Sequence, residues 1–368
     1  MKKILVKLSE RSYQIFIGAK LEDLGRQLAG MKLSKTALVV TNPKVGKLYL
    51  SRISAGLKRA GFKVSSCIIG DGEEFKTLNT VNKIYGAMLN AGLDRRSPLI
   101  ALGGGVAGDI AGFAAATFMR GVPLIQVPTT LLAMVDSSVG GKTGVDLKEG
   151  KNLIGAFYQP KLVWIDISTL KTLPEEHIAN GMAEVIKYGV IKDSAFFKFL
   201  EKNINKMQGQ GSRVQGPGKT EKLIGHIIST SCKIKADVVS GDEREEKGLR
   251  EILNFGHTFG HALETLNNYK GILHGQAVAI GMNFAASLAV KLGMLGKSDK
   301  ARLKNLILLA GLGACSHKRF TANQVISVMK RDKKTRSGKL RFVLPVKIGK
   351  VTVKSNISSE LIRKILEK

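Results

Sequence analysis

The sequence predicts an α/β N-terminal domain on a mostly parallel sheet, followed by a mainly α-helical, metal-binding C-terminal domain. Three observations lead there. Up to about residue 174, short apolar β-rich runs alternate with helical stretches, as expected of strands covered on both faces. After Pro174, helical periodicity takes over. The chain has 368 residues and is 44% hydrophobic, which at roughly 150 residues per domain suits two domains with sizeable cores. The expected division is 1–174 and 175–368.

In chain order, MKKILVKLSERSYQIFIG (1–18) alternates and reads as strands. TALVVTN (36–42) is a strand, followed by a helix through Val45–Gly61. KVSSCIIG (63–70) is the next strand, followed by a helix through Thr77–Ala91. SPLIALGGG (97–105) is a strand running into glycines, then a small-residue helix over Asp109–Met119. PLIQVPTT (123–130) and KLVWIDI (161–167) are two further strands. Helices are then expected over 175–200, 221–239, 253–267, 276–292 and 300–309, with one late β stretch, LRFVLPVKIGKVTV (340–353). Residues 205–219 (NKMQGQGSRVQGPGK) are Gly/Gln-rich without apolar period and read as a loop.

Net charge is +29, from 58 basic and 29 acidic side chains, which raises a nucleic-acid reading. Its location argues against one. Residues 101–186 carry 6 basic and 8 acidic side chains, whereas 330–341 (KRDKKTRSGKLR) carry seven basic and one acidic. That basic run contains no aromatic residue, and aromatics are 6% of the chain, so the interleaved aromatics of a nucleic-acid face are missing. Cys67, Cys232 and Cys315 are few, odd in number and widely spaced, which points to a reducing, cytoplasmic setting. The N-terminus lacks a signal-peptide pattern. The longest apolar run, Ala277 to Val290, contains Asn283 and falls short of the roughly 18–20 residues needed to cross a bilayer.

Gly103, Gly105 and Gly108 fit G-x-G-x-x-G between a strand and a helix. Glycines there let the backbone approach an anion at unpaired helix N–H groups, so the domain is Rossmann-like in outline. The acidic ribose ligand usual about 20 residues later is missing, because that stretch is GVPLIQVPTT. DSSVGGKTG (136–144) resembles a P-loop, but Asp136 stands where its first glycine belongs, and an ATPase is excluded. Lys142 remains notable beside Asp136, Asp146, Lys148 and Lys151.

The chain has six histidines, three of them between residues 257 and 274. His257 and His261 in NFGHTFGHALE are four apart and share a helical face; His274 follows in LHG. GMAEVIKYG places Glu184 and Lys187 three apart. Two imidazoles and a carboxylate satisfy a catalytic zinc and leave a position open. Spacing alone nominates His257 and His261, with Glu184 or Glu264 third. Arg250 and Asn254, one helical turn apart and followed by His257, can face one cavity, and Lys235 in KADVV lies on the preceding helix. Such cations imply an anionic, oxygen-rich substrate.

Together, DGEEFKT (71–77), GGGVAGDIAGFAAATFMRG (103–121), VPTTLLAMVDSSVGGKTGVD (127–146), KNLIGAFYQP (151–160), MAEVIKYG (182–189), LNFGHTFGHALE (253–264) and LHGQAVAIGM (273–282) resemble the 3-dehydroquinate synthase family of the shikimate pathway. The resemblance implies an NAD-binding α/β domain, a helical zinc-bearing domain, an active site in the cleft and a homodimer. It implies zinc, or cobalt, held by Glu184, His257 and His274, which moves His261 to substrate binding. Nucleotide contacts implied are Asp71, Gly72, Glu73, Glu74, Phe75 and Lys76; Gly105, Val106, Ala107, Gly108 and Asp109; Thr129, Thr130, Lys142 and Lys151; and Thr169, Leu170, Lys171 and Thr172. Substrate residues implied are Asp136, Lys142, Asn152, Lys187, Lys235, Arg250, Asn254 and His261. Arg120 resembles an arginine that reaches the neighbouring subunit's phosphate pocket, and Lys333 or Lys334 resembles a further phosphate contact.

The reaction implied starts from 3-deoxy-D-arabino-heptulosonate 7-phosphate. NAD oxidises the C5 hydroxyl, phosphate is eliminated, the ketone is reduced again, and ring opening with aldol closure gives 3-dehydroquinate. NAD is regenerated, so the enzyme is a lyase. Two rivals share the motifs: other sugar phosphate cyclases such as 2-deoxy-scyllo-inosose synthase, and metal-dependent polyol dehydrogenases. The Arg250–Asn254–His261 set and the DKK segment favour dehydroquinate synthase. DEREEKGLR (242–250) is one residue longer than the usual family form, and the 205–219 loop resembles an insertion.

Overall fold

The computed structural model describes residues 1–206, 217–313, 320–332 and 340–367. Lys333, Lys334, Cys315 and most of the 205–219 stretch lie outside the described residues. Seven strands make one sheet: β1 (Lys2–Val6), β2 (Tyr13–Ile17), β3 (Thr36–Thr41), β4 (Lys63–Ile68), β5 (Leu99–Gly103), β6 (Leu124–Pro128) and, after a hairpin, β9 (Leu162–Ile165). Their order is β1-β2-β9-β6-β5-β3-β4. β1 runs antiparallel to β2, and every other pair is parallel.

Alternation explains why the central strands read as unbroken apolar runs. Leu38 and Val40 of β3 and Leu99 and Ala101 of β5 enter one core with Ile110 and Ala114 of the helix Gly105–Thr117. Ala37, Val39, Ile100 and Leu102 enter the other with Leu21, Ile53 and Leu57. Both faces are covered, so no polar alternation survives in the sequence.

One sheet element escaped the sequence reading. β7 (Lys142–Leu147) and β8 (Gly150–Phe157) form a two-stranded antiparallel hairpin. Its residues, KTGVDLKEGKNLIGAF, mix glycine and lysine among few apolar positions, which hides a strand period. Its turn lies around Lys148 and Glu149.

After residue 174 the expected helices are present with shifted limits. The 175–200 run is two helices, Glu175–Ile191 and Ser194–Asn203. The second begins at Asp193, whose Oδ1 accepts from the Phe196 N–H at 2.9 Å as an N-cap. Further helices span His257–Leu266, His274–Lys291 and Lys297–Leu309. Ala322–Asp332 and Ser359–Leu366 were not anticipated. The late β stretch is a hairpin of β10 (Arg341–Lys347) and β11 (Lys350–Ser355). Among the described residues no helix is long and apolar enough to cross a membrane.

Two compact units emerge, and they differ from a single division at 174. Met1–Leu173 and Glu221–Arg244 form the first; Pro174–Thr220 and Glu245–Lys368 form the second. The helix Pro217–Gly241 accounts for the difference. Its Cys232 thiol donates to the Met134 carbonyl at 3.2 Å, and Lys235 reaches Asp136. Ser240 Oγ accepts from the Lys7 N–H, and Glu243 pairs with Arg11 at 2.7 Å.

Burial pushes the Cys232 thiol up to about 12, so the neutral form persists well above neutrality. At pH 8 Cys232 should resist alkylation in the folded protein and react once denatured, read by peptide mass mapping. Equal labelling in both states would contradict its burial.

Candidate active site

In the second unit the site begins with a carboxylate inside a helix. Glu184 lies in the middle of Glu175–Ile191 and is fully buried. Lys187, one turn on and 2% exposed, pairs with it. Neither Glu184 oxygen takes part in a well-formed hydrogen bond, a costly state for a buried anion unless cations compensate it.

Two histidines converge on the same carboxylate. His257 Nε2 lies 3.6 Å and His274 Nε2 3.7 Å from Glu184 Oε1. One ligand atom from each of the three residues falls within 4.8 Å of the others. His257 Nδ1 is 3.2 Å from the Phe255 carbonyl, which accepts, so Nδ1 carries the proton and Nε2 presents its lone pair. Burial, with Lys187 and the other two histidines adding to it, holds the His257 pKa well below its ordinary value. That keeps the ring neutral, as a metal ligand requires. His274 Nδ1 faces Glu264 Oε1 at 3.4 Å. A carboxylate and two imidazoles thus meet, and the donor set fits a divalent cation of the zinc type.

Close helix packing produces this convergence. A side chain on Gly275 would strike the Asn180 main chain, and the Gly275 N–H donates to Asn180 Oδ1 at 2.5 Å. His274 is thereby pinned beside the Glu184 helix. Gly256 has φ +83° and packs against the Val278 carbonyl; there the chain turns sharply before His257 opens its helix. Asn180 was not anticipated; its only trace is its position one turn before Glu184.

His257 and His261 do lie one turn apart, with ring centroids 5.3 Å apart. The alternative third residue from spacing, Glu264, stands behind His274, and a second grouping of His261, Glu264 and His274 also exists. Asn254 is not on the His257 helix as expected, and Arg250 lies one turn before it. They sit on a separate 3-10 turn, Leu249–Asn254, which ends before the Gly256 kink. Arg250 is buried, with Nε 3.5 Å from Glu245 Oε1. His261 is exposed.

In the first unit, Lys76 centres a second cluster. Its ammonium is 2.7 Å from Asp109 Oδ2, 2.5 Å from Asn152 Oδ1 and 3.9 Å from Glu73. Burial opposes the charge of Lys76, but Asp109 and Glu73 outweigh it and raise the pKa. Burial likewise raises Asp109, against the pull of Lys76. Lys151 reaches Glu73 at 3.4 Å, and the Asn152 N–H donates to Asp146 Oδ1 at 2.7 Å. The structure thus gathers Glu73, Lys76, Asp109, Lys151 and Asn152. Asp71 stands apart, bonded to Asn42 and Lys44.

The glycine loop has the expected setting: β5 ends at Gly103 and the helix opens at Gly105, where a Cβ would crowd Ser137. Val106 and Ala107 continue that turn, and Gly108 sits against Gln126. Thr130 Oγ1 accepts from the Ala133 N–H, while the buried Thr129 hydroxyl has no hydrogen-bond partner among the described residues. Thr169 and Thr172 surround the Tyr49 hydroxyl, with buried Leu170 and exposed Lys171 between them. Gly72, Glu74 and Phe75 form the short turn before Lys76. Lys235 Nζ lies 2.7 Å from both the Asp136 carboxylate and its carbonyl. Lys142 and Arg120 are exposed, Arg120 at φ 65° beyond the small-residue helix.

The chain combines a glycine-looped parallel sheet unit with a helical unit in which the buried Glu184 meets two half-buried histidines. Residues 66–180 match the family model of the 3-dehydroquinate synthase N-terminal domain, and 181–335 that of its C-terminal domain. The chain belongs to the 3-dehydroquinate synthase family. It is 50% identical over 365 residues to the 3-dehydroquinate synthase of Nostoc punctiforme, covering 99% of this chain and 98% of the relative. It is 47% identical to that of Pelotomaculum thermopropionicum, over 100% and 96%.

Among solved structures, 2-epi-5-epi-valiolone synthase from Streptomyces hygroscopicus, with NAD+ and Zn2+ bound, matches at TM-score 0.85 and 28% identity, over 100% of this chain and 98% of that one. A 2-deoxy-scyllo-inosose synthase complexed with carbaglucose-6-phosphate, NAD+ and Co2+ matches at 0.87 and 26%, over 99% of each chain. A probable glycerol dehydrogenase from Sinorhizobium meliloti, at 14% identity and TM-score 0.64 over 94% of this chain and 93% of that one, shares the fold alone.

Lys76→Met should strip the half-buried Asp109 of its counter-charge. Losing one member of such a pair removes roughly 3 kcal/mol, a fall of about 6–12 °C in the unfolding midpoint of a unit this size. Calorimetry checks it; an unchanged midpoint would mean the Lys76 pair is structurally neutral.

Proposed function

We propose that the chain converts 3-deoxy-D-arabino-heptulosonate 7-phosphate to 3-dehydroquinate and phosphate, with NAD and a divalent metal as cofactors. The observation that carries the reading is the convergence of Glu184, His257 and His274 in a chain half identical to a dehydroquinate synthase over its length. Glu184, His257 and His274 are the metal ligands in this reading. The segments 71–76 and 105–109, Thr129, Thr130, Lys142, Lys151 and 169–172 serve the nucleotide. When bound, NAD supplies a reversible hydride acceptor and the metal supplies Lewis acidity toward hydroxyl oxygens.

The chain's own residues do the positioning. Lys142 and Asn152, on the β7–β8 hairpin, and Arg120 offer charge-assisted bonds to the phosphate that leaves. Lys187, Lys235, Arg250, Asn254 and His261 hold the carboxylate and hydroxyls, so geometry supplies much of the rate. Asp136 fixes the Lys235 ammonium from two directions. Phe255 keeps the His257 proton on Nδ1. The buried, neutral-leaning surroundings of His257 exclude a competing proton from Nε2. In this reading the protein is a cytoplasmic homodimer in which the exposed Arg120 reaches the neighbouring subunit's phosphate pocket.

Purified protein should release inorganic phosphate from the heptulosonate phosphate with catalytic NAD+ and zinc or cobalt, without accumulating NADH. Stoichiometric NADH would favour a polyol dehydrogenase instead; no phosphate release would sink the assignment. His274→Ala should lose metal and activity together. His261→Ala should retain metal by elemental analysis, and metal loss in that variant would reverse the ligand assignment.

A further inference from the structure

Glu264 plays no part in the assignment above, yet it is one of the few carboxylates buried in the second unit, 5% exposed. It lies on the His257–Leu266 helix, two turns from His257. Its Oε1 meets His274 Nδ1 at 3.4 Å, on the ring edge opposite the Nε2 that faces Glu184. We propose that Glu264 is a positioning residue that sets the tautomer and ring orientation of His274 for the metal. This rests on the metal set proposed above.

The physical argument runs through one proton. An ionised carboxylate only accepts, so at this contact Nδ1 must hold the hydrogen, which frees the Nε2 lone pair toward Glu184. His257 obtains the same result from a main-chain carbonyl at Phe255. His274 opens its helix after Leu273 in extended conformation, with φ −79° and ψ 150°, and takes the side-chain carboxylate instead. The two rings therefore present equivalent nitrogens through different supports. A carboxylate behind a ligating imidazole also raises the basicity of the ligand.

The rival reading makes Glu264 a direct ligand, in the grouping with His261 and His274. Its two carboxylate-facing edges differ in chemistry. His274 Nε2 lies toward the fully buried Glu184, while His261 is exposed. The enclosed set excludes water better, and the Glu264 contact falls on the other nitrogen.

The test is zinc affinity of the full chain by competition against a chromogenic chelator, alongside circular dichroism of the metal-free proteins. Glu264→Ala should bind zinc about 10–100-fold more weakly with an unchanged metal-free spectrum. Glu264→Gln, whose amide oxygen still accepts from Nδ1–H, should recover most of that loss. His261→Ala should bind as the parent does. If Glu264→Ala and the parent bind zinc equally while His274→Ala binds weakly, the positioning role is wrong and the metal set stands. If His274→Ala also binds as the parent does, the metal set itself fails and the inference with it. A Gln variant as weak as the Ala variant, together with a weakened His261→Ala, would make Glu264 a ligand and overturn the proposal.

Discussion

A carboxylate placed inside a helix and away from water is the constraint around which the second unit is arranged. Glu184 is unstable in isolation, because desolvating a charge costs several kcal/mol even after relaxation. The chain answers with Lys187 on the same face and with two imidazoles turned so that their bare nitrogens point inward. Such an arrangement gains from a cation and loses without one. Tight glycine contacts at 256 and 275 hold the donors in place ahead of any ligand, so the geometry is supplied by packing and not by the metal alone.

The first unit solves a related problem differently. Lys76 is a buried cation whose neighbours come from three sequence segments: Glu73 from the turn before it, Asp109 from the glycine-loop helix, and, from the hairpin, Asn152 and Asp146, whose N–H donates to the Lys76 carbonyl. This ties the turn before Lys76, the glycine-loop helix and the tip of the β7–β8 hairpin together. Segments that read as independent motifs share one charge.

Most of the sheet was legible in the sequence because strands buried on both faces leave continuous apolar runs between turn signals. The β7–β8 hairpin was not, since Lys142, Gly144, Gly150 and Lys151 erase its alternation. The helix break at Lys192 was hidden by apolar residues on both sides, although Asp193 carried the capping signal. Of the converging donors, His257 was nominated from spacing, while Glu184 and Glu264 stayed open as alternatives. His274 was not separable from His261 by period alone, because its place depends on where a second helix starts against Asn180. Arg250 and Asn254 looked helical with His257 until the positive φ of Gly256 broke the run. The +29 charge finds no structural explanation.

The helix Pro217–Gly241 has a consequence for how the molecule is made. It belongs with residues 1–173, yet the ribosome delivers it after the first helices of the other unit. Lys235, Cys232 and Glu243 close contacts to Asp136, Met134 and Arg11 that no shorter nascent chain possesses. The amino-terminal unit therefore cannot mature on its own as it emerges, although domains usually fold as units in order of synthesis. Those contacts must wait until residue 244 is made. A fragment cut at the apparent border near 174 would be an unfinished protein, not an isolated domain.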